Sequence, residues 1–296
     1  MTDAIATAFD GVTTVDVALR VASAVLVDAG VPSPDVDAEL LVGHVTGLNR
    51  GVVRARAVTA ASLTPDEQEA LVAAITRRAS REPLQHITGR ASFRHLELRV
   101  GPGVFVPRPE TEGVAQLAID ALRSRADASP VAVDLGTGSG ALALAMASEV
   151  PTATVVAVEL SPEAAVWTRR NIDAVGVDNV RLVEGDLADA LPELDGTVSV
   201  VVSNPPYVPV GMVPRDPEVR LHDPALALYG GEDGLDLVRA LSLTARRLLR
   251  PGGALVIEHG ELQGGAIRDL LTADGWRSPA THPDLTGRDR ATTAVR

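Results

Sequence analysis

The residues with the most evident chemistry are Ser203-Asn204-Pro205-Pro206-Tyr207, which follow the apolar run 198–202. Two consecutive prolines lack backbone N–H groups and fix their own φ, so the segment is rigid. The carbonyls of Asn204 and Pro205 are then free to accept hydrogen bonds. An amide or amino NH2 group carries two donors, and the Asn204 side-chain oxygen with a neighbouring carbonyl supplies two acceptors. Held in this way, a nitrogen presents its lone pair along one line of attack. A conjugated amide nitrogen is a poor nucleophile, so fixing that line and polarising the group is the main help a protein can give. Tyr207 can stack on the planar group and close the site. Asn204, Pro205, Pro206 and Tyr207 are therefore the expected catalytic residues, for group transfer to a planar NH2. A plain Asn-Pro-Pro turn is the competing reading. It is disfavoured because open α/β sheets bind ligands where this segment lies, at the carboxyl end of a parallel strand.

A second motif, Asp134-Leu135-Gly136-Thr137-Gly138-Ser139-Gly140, joins an apolar strand to a helix. Its glycines allow a sharp turn and close approach to a ligand. Gly136, Gly138 and Ala141 also satisfy the dinucleotide fingerprint, so a nicotinamide cofactor stays open on this motif alone. Asp134 before the loop suits a cationic ammonium or sulfonium better than a pyrophosphate, and Gly140 opens the loop further. Both details favour S-adenosylmethionine (SAM). Glu159 ends the next strand, where an acid can accept both hydroxyls of a ribose, from either cofactor. Asp186, after the third strand, can accept an adenine amino group with Leu187 against the ring; a simple turn fits Gly185-Asp186-Leu187 about as well. The expected cofactor-binding set is Asp134, Gly136, Thr137, Gly138, Ser139, Gly140, Glu159, Asp186, Leu187 and Asn204.

Several classes drop out. Cysteine is absent, which removes disulfides and thiolate metal sites. His44, His86, His95, His222, His259 and His282 show no metal-ligand spacing, so no metal is expected and surface or structural roles are assigned to them. No Ser-His-Asp arrangement stands out. All 27 basic side chains are arginine, which excludes a lysine nucleophile. The net charge of −12 repels a phosphate backbone and argues against a stable nucleic-acid partner. No apolar run is long enough to span a bilayer, and Met1-Thr2-Asp3-Ala4 lacks the basic start of a signal peptide. The expectation is a cytoplasmic, monomeric protein with no membrane contact.

The elements that must position these residues can be read from periodicity. With 296 residues, 46% hydrophobic, the chain has room for a small and a larger domain. Aromatics make up only 2%, so Val, Leu and Ala must fill the core. Residues 1–80 read as a helical bundle. Val15, Leu19, Ala22 and Leu26 recur at helical spacing; Ser33-Pro34 reads as an N-cap and first helical residue with Leu40 and Leu41 buried; Thr64-Pro65-Asp66-Glu67 reads as a capping box. The stretch 81–112 reads as a linker with room for a β-hairpin, since Leu96, Leu98 and Val100 alternate with charged residues. From 113 to 296, strands alternate with helices. Strands are expected at 131–135, 154–158, 181–183, 198–202, 254–258 and 292–295. Helices are expected at about 111–125, 140–149, 162–174, 234–249 and 263–273. Apolar strands alternating with helices imply a mainly parallel sheet covered on both faces.

Taken together, these residues resemble the release factor glutamine methyltransferases of the PrmC/HemK type, over nearly the whole chain. The resemblance is carried by Arg81-Glu82-Pro83-Leu84-Gln85-His86-Ile87-Thr88-Gly89, by Phe105-Val106-Pro107-Arg108-Pro109-Glu110-Thr111-Glu112, and by the 134–140 loop with Asn204-Pro205-Pro206-Tyr207. Gly230-Gly231-Glu232-Asp233-Gly234 and Glu258-His259-Gly260 also match. Asn-Pro-Pro-Tyr alone is shared with methyltransferases that act on DNA bases. The resemblance implies a Rossmann-like, seven-stranded SAM-dependent α/β domain behind a small N-terminal helical domain that docks the substrate. It implies class I peptide chain release factors as that substrate, N5-methylation of the glutamine in their Gly-Gly-Gln loop, and S-adenosylhomocysteine as product. Leu187 departs from relatives, which often carry a larger, sometimes aromatic, residue beside the adenine. The alternatives are a ribosomal-protein glutamine or a nucleic-acid base amino group as acceptor. A SAM-binding scaffold and an NAD-dependent oxidoreductase form a separate class.

Overall fold

The computed structural model describes residues 2–124 and 127–296. Met1 of the N-terminal segment and residue 125 of the helix expected at 111–125 lie outside them. The chain divides into two compact units, Met1–Gly89 with Arg215–His222, and Arg90–Pro214 with Asp223–Arg296.

The first unit contains α1 (Thr2–Ala8), α2 (Val15–Asp28), α3 (Pro34–Thr46), α4 (Arg50–Val58), α5 (Pro65–Ala79) and α6 (Leu84–Thr88), joined by the later helix Pro217–His222. The capping box is present: Glu67 N–H donates to Thr64 Oγ1 while Thr64 N–H donates to the Glu67 carboxylate. Two expectations need correction. Ser33 precedes α3, but its hydroxyl makes no cap hydrogen bond. Leu41 is fully buried whereas Leu40 is exposed, because neighbours on a helix point about 100° apart and cannot share one face. Leu19 is only half-buried, and Ala18 takes the inner position with Val15, Ala22 and Leu26.

Charged groups bind this unit together internally. Buried Arg78 donates to Asp37 at 2.7 Å and pairs with Glu218 at 2.8 Å. Arg81, at φ 69°, donates to both oxygens of Glu218 at 2.9 and 2.5 Å, and to the Gly30 carbonyl at 2.8 Å. The carboxylate of Glu218 thus joins α5 and the turn after it to a helix far along the chain. Burial alone would raise the Glu218 pKa, but the guanidinium groups of Arg81 and Arg78 hold it down at about 2.

The second unit opens with the hairpin β1 (Arg90–Phe93) and β2 (Leu96–Arg99). There follow α7 (Thr111–Arg123), β3 (Val131–Leu135), α8 (Ala141–Glu149), β4 (Thr154–Glu159), α9 (Pro162–Val175), β5 (Val180–Glu184) and β6 (Val198–Ser203). After α10 (Pro217–His222) of the first unit come α11 (Asp236–Leu248), β7 (Leu249–Glu258), α12 (Gly264–Ala273), β8 (Arg277–Pro283) and β9 (Asp289–Val295). The seven strands are ordered β5-β4-β3-β6-β7-β9-β8. The first five run parallel, and β9 is antiparallel to both its neighbours. This is the covered, mainly parallel α/β sheet that the alternation of apolar strands and helices leads one to expect.

Successive strand residues face opposite helical layers, which is why whole strands are apolar. Ala132, Val155, Ala157, Val200 and Val202 pack with α7 and α8 through Val114, Ile119, Leu142 and Leu144. Val133, Leu135, Val156, Val158, Val201 and Ile257 pack with α11 and α12 through Val238, Leu241, Ile267 and Leu271. The stretch 81–112 contributes α6 to the first unit and β1–β2 to the second, where Phe93 and Leu98 are fully buried. Two sheet features differ from the sequence reading. β7 begins at Leu249 rather than 254, running through Pro251-Gly252-Gly253 by way of a register shift against β6. β8 was not expected at all; it holds two prolines and is tolerated as a strand because it lies at the sheet edge and pairs with β9 alone. Among the described residues no helix is long and apolar enough to cross a membrane.

Candidate active site

The carboxyl ends of β3, β4, β5 and β6 lie on one edge of the sheet, and each carries one of the motifs singled out above. Register brings them together: Asp134 pairs with Ala157 on one side and Val202 on the other, and Glu159 pairs with Glu184. After β3 the chain turns through Gly136, Gly138 and Gly140 at φ 78°, 59° and 87°. Only glycine adopts this succession of left-handed conformations without strain. A Cβ added at Gly136 or Gly138 would meet nothing within 4 Å, so this face of the loop is open to a ligand.

Asp134 is fully buried. Its Oδ2 accepts the Thr137 hydroxyl at 2.6 Å and the Ala143 N–H, in the first turn of α8, at 3.1 Å. Its Oδ1 has no hydrogen-bond partner among the described residues. Asp134 therefore fixes the loop and the start of α8, and keeps one acceptor spare. Glu159 takes the Gly138 N–H on one oxygen at 2.7 Å and the Ser161 N–H on the other at 2.8 Å. A carboxylate has about four acceptor sites, which leaves two for vicinal hydroxyls. The spare acceptors and the open glycine face fit an adenosyl cofactor with a cationic amino-acid end. Ser139 is buried, and its carbonyl accepts from Asn171 at 2.9 Å; Thr168 donates to the Gly138 carbonyl at 2.7 Å. These two residues of α9 secure the loop and were not singled out in the sequence. Asp186 is exposed after β5, one oxygen already accepting the Ala188 N–H at 2.9 Å. Leu187 is buried in the apolar cluster with Val133 and Val158.

At the end of β6, Ser203 donates to the Leu135 carbonyl at 2.5 Å, tying this strand end to β3. Asn204 is half-buried, Pro205 buried, and Pro206 and Tyr207 half-buried. Among the described residues, neither the Asn204 nor the Pro205 carbonyl accepts a backbone N–H outside the ladder. The Asn204 Nδ2 group points at the Thr111 hydroxyl oxygen, 3.5 Å away, and both side chains lie near the Glu258 carboxyl, where they favour its ionised form. With acceptors on the nitrogen side, the amide is oriented and Oδ1 is the atom left to accept from a substrate. Gln263 braces the next residue. It donates to the Tyr207 carbonyl at 3.0 Å and accepts the Gly260 N–H at 2.9 Å. Burial, and then the nearby Glu258, raise the Tyr207 phenol to about 12, so it is neutral at ordinary pH.

Thr111, Glu258 and Gln263 were therefore overlooked as site residues. A signal for Glu258 was present: an acid closing an apolar strand, as Glu159 does. What the sequence lacked was the pairing of Ser203 with Ile257, which sets Glu258 beside Asn204. His259, read as structural, is fully buried with Nδ1 against the Gly260 carbonyl and Nε2 against Thr292 Oγ1.

Two acids here titrate far from their usual range. Burial raises Asp134 from 3.8 to about 7, Glu159 adding to the rise while Thr137 and Ala143 oppose it. Burial raises Glu258 from 4.5 to about 7 against the pull of Thr111 and Arg290. Each holds its proton more tightly folded than unfolded. Their contribution to stability is present below about pH 4 and is lost as pH rises through about 7. In the other direction, Asp233 and Asp284 are lowered to about 2, mainly by Arg239 and Thr286 respectively, so their contribution is lost in strong acid. The sheet unit should thus be most stable near pH 4, and weaker at pH 8 than at pH 5.5 by about 2 kcal/mol for each of the two buried acids. Urea midpoints at about pH 5.5 and 8 test this; an equal or higher midpoint at pH 8 contradicts it.

Residues 17–89 match the family model described as the PrmC N-terminal domain, and residues 95–213 match the methyltransferase small domain. The chain is 54% identical to the release factor glutamine methyltransferase of Streptomyces coelicolor, over 91% of this chain and 93% of that one. It is 46% identical to the release factor glutamine methyltransferase of Bifidobacterium longum, over 93% and 97%. A 4-amino-L-phenylalanine/4-methylamino-L-phenylalanine methyltransferase from Streptomyces pristinaespiralis is 44% identical, over 75% and 76%.

Proposed function

We propose, proceeding from the fact that this chain belongs to the release factor glutamine methyltransferase family, that it N5-methylates the glutamine of the Gly-Gly-Gln loop in class I peptide chain release factors. The single observation that carries the reading is the Asn204 amide, its nitrogen turned to the Thr111 hydroxyl, on the sheet edge that also bears the glycine loop. SAM, when bound, supplies a methyl group on a sulfonium, and S-adenosylhomocysteine is left.

The residues of the chain do the positioning. The 134–140 loop receives the methionine part, with Asp134 holding the loop and keeping Oδ1 available. Glu159 takes the ribose hydroxyls. Asp186 and Leu187 border the adenine. Asn204 Oδ1 and the Pro205 carbonyl accept the two N–H groups of the substrate amide, which points its lone pair at the methyl carbon. Pro206 keeps the segment rigid, and Tyr207 covers the planar group. The new N–C bond forms as the C–S bond breaks, and the methylated nitrogen then gives one proton to water. No metal takes part in this scheme.

The helical unit is the docking module, a role supported by the family match at residues 17–89. A net charge of −12 disfavours a nucleic-acid acceptor. A monomer in the cytoplasm, acting on a translation factor, completes the reading.

Mass spectrometry of a class I release factor incubated with this protein and SAM tests it. The expected result is a gain of one CH2 mass on the Gly-Gly-Gln glutamine. No gain there, with SAM binding intact and methylation of a ribosomal protein, a nucleic acid or 4-amino-L-phenylalanine instead, would replace the substrate.

A further inference from the structure

The scheme above gives no task to the buried acid Glu258. Glu258 closes β7 and is 2% exposed. Its Oε2 has no hydrogen-bond partner among the described residues. Strand register sets Glu258 beside Asn204, whose Nδ2 lies 3.5 Å from the Thr111 hydroxyl of α7, and both side chains favour its ionised form. The charged and titratable groups that act on it are Arg290 of β9, Glu110 just before α7, and Tyr207. Arg290 favours the ionised form, Glu110 opposes it, and Tyr207 is neutral.

An acid that served only to fill this position would be a poor choice. Burying a carboxyl group costs stability unless it is paired and hydrogen-bonded, and here one oxygen is left over. A residue kept at such a cost has a use that an apolar side chain cannot supply. The contacts identify that use. An asparagine amide is nearly symmetric in shape, and only its surroundings decide which end faces outward. An ionised carboxylate offers acceptors alone, so the NH2 end must turn toward it.

We infer that Glu258 is a positioning residue for methyl transfer, which with Thr111 holds the NH2 end of Asn204 and thereby aims Asn204 Oδ1 at the substrate amide. This rests on the reading of Asn204 as the amide-binding residue. Glutamine at position 258 would present a donor of its own to the Asn204 NH2 group in one of its two flips. The aiming would be lost while shape and packing persisted. Because burial raises the Glu258 carboxyl to about 7, the aiming should also strengthen as pH rises through neutrality.

The test compares wild type, Glu258→Gln, Glu258→Asp and Thr111→Val with SAM and a class I release factor, from about pH 6 to about pH 8. Melting temperature and SAM affinity are measured in parallel. Glu258→Gln should lower kcat about 10–100-fold, the range found when a residue that orients a reacting group is lost. It should flatten the wild-type rise of kcat with pH, leave SAM affinity unchanged, and melt no lower than wild type at about pH 8, because it removes a buried charge. Glu258→Asp should restore part of the rate and the pH dependence, and Thr111→Val should reproduce part of the loss. A Glu258→Gln enzyme within about twofold of wild type, with the same pH profile, overturns the inference. So does a loss of SAM affinity and melting temperature in step with kcat, which would make Glu258 a structural residue. If wild type itself leaves the release factor unmethylated, the proposed function fails and this inference falls with it.

Discussion

Replacing Asn204 by alanine is expected to lower kcat by about 10²–10³, the cost of removing one positioned hydrogen-bonding group from a reacting centre. The affinity for SAM should stay within a few-fold of wild type, since the cofactor contacts proposed for the glycine loop and Glu159 do not depend on Asn204. The effect is large because the acceptor atom, not the packing, is lost. Asn204 is only half-buried, so its truncation leaves a small cavity and little strain. A fall in kcat without a change in SAM affinity marks an interaction made with the reacting group. Turnover by Asn204→Ala at near wild-type rate would remove Asn204 from the mechanism. Asn204→Asp separates shape from chemistry. An aspartate keeps the acceptor but brings a second negative charge against Glu258, and should recover little of the rate.

The second large effect is expected from two glycines remote in sequence from the motif they support. A Cβ at Gly230 would lie 2.3 Å from the Pro206 carbonyl oxygen and 2.8 Å from that of Gly234. A Cβ at Gly234 would lie 2.3 Å from the Tyr207 carbonyl oxygen, at a φ of 77°. The obstructing atoms are backbone, and the Asn-Pro-Pro-Tyr backbone has little freedom to give way. Gly230→Ala or Gly234→Ala must therefore displace the Asn-Pro-Pro-Tyr segment or the strand bridge between Val208 and Tyr229. Overpacking of this kind costs about 1–3 kcal/mol, with a further 1 kcal/mol or so at Gly234 for the left-handed backbone. A displacement of about 1 Å at a reacting centre costs roughly 100-fold in rate. The expected outcome for either variant is a rate loss of that order together with a lower melting temperature. Gly113→Ala is the control: it lies in α7 with nothing within 4 Å of the added atom. It should be neutral or slightly stabilising. Normal kcat in Gly230→Ala and Gly234→Ala would show that the close approach does not constrain the site.

The glycine loop, the rigid Asn-Pro-Pro-Tyr segment and the alternation of apolar strands with helices could all be read from the sequence because each is a local property. A proline removes its own N–H, a glycine permits its own positive φ, and a strand buried on both faces must be apolar along its length. The capping box at Thr64 was legible for the same reason, as donor and acceptor stand three residues apart. Local chemistry also failed in local ways. Ser33 had the right type for a cap, yet its hydroxyl makes no such bond, and β8 lacked apolar alternation because neither of its faces is buried.

What tertiary structure alone decided is which distant residues meet and how far water is excluded from them. Thr111 and Asn204 are 93 residues apart, and Arg81 and Glu218 are 137 apart. The sheet order sets β7 beside β6, and with it Glu258 beside Asn204. The raised pKa values of Asp134 and Glu258 belong to neither residue type. They follow from desolvation, which exists only once the strands, helices and loops have closed around the carboxyl groups.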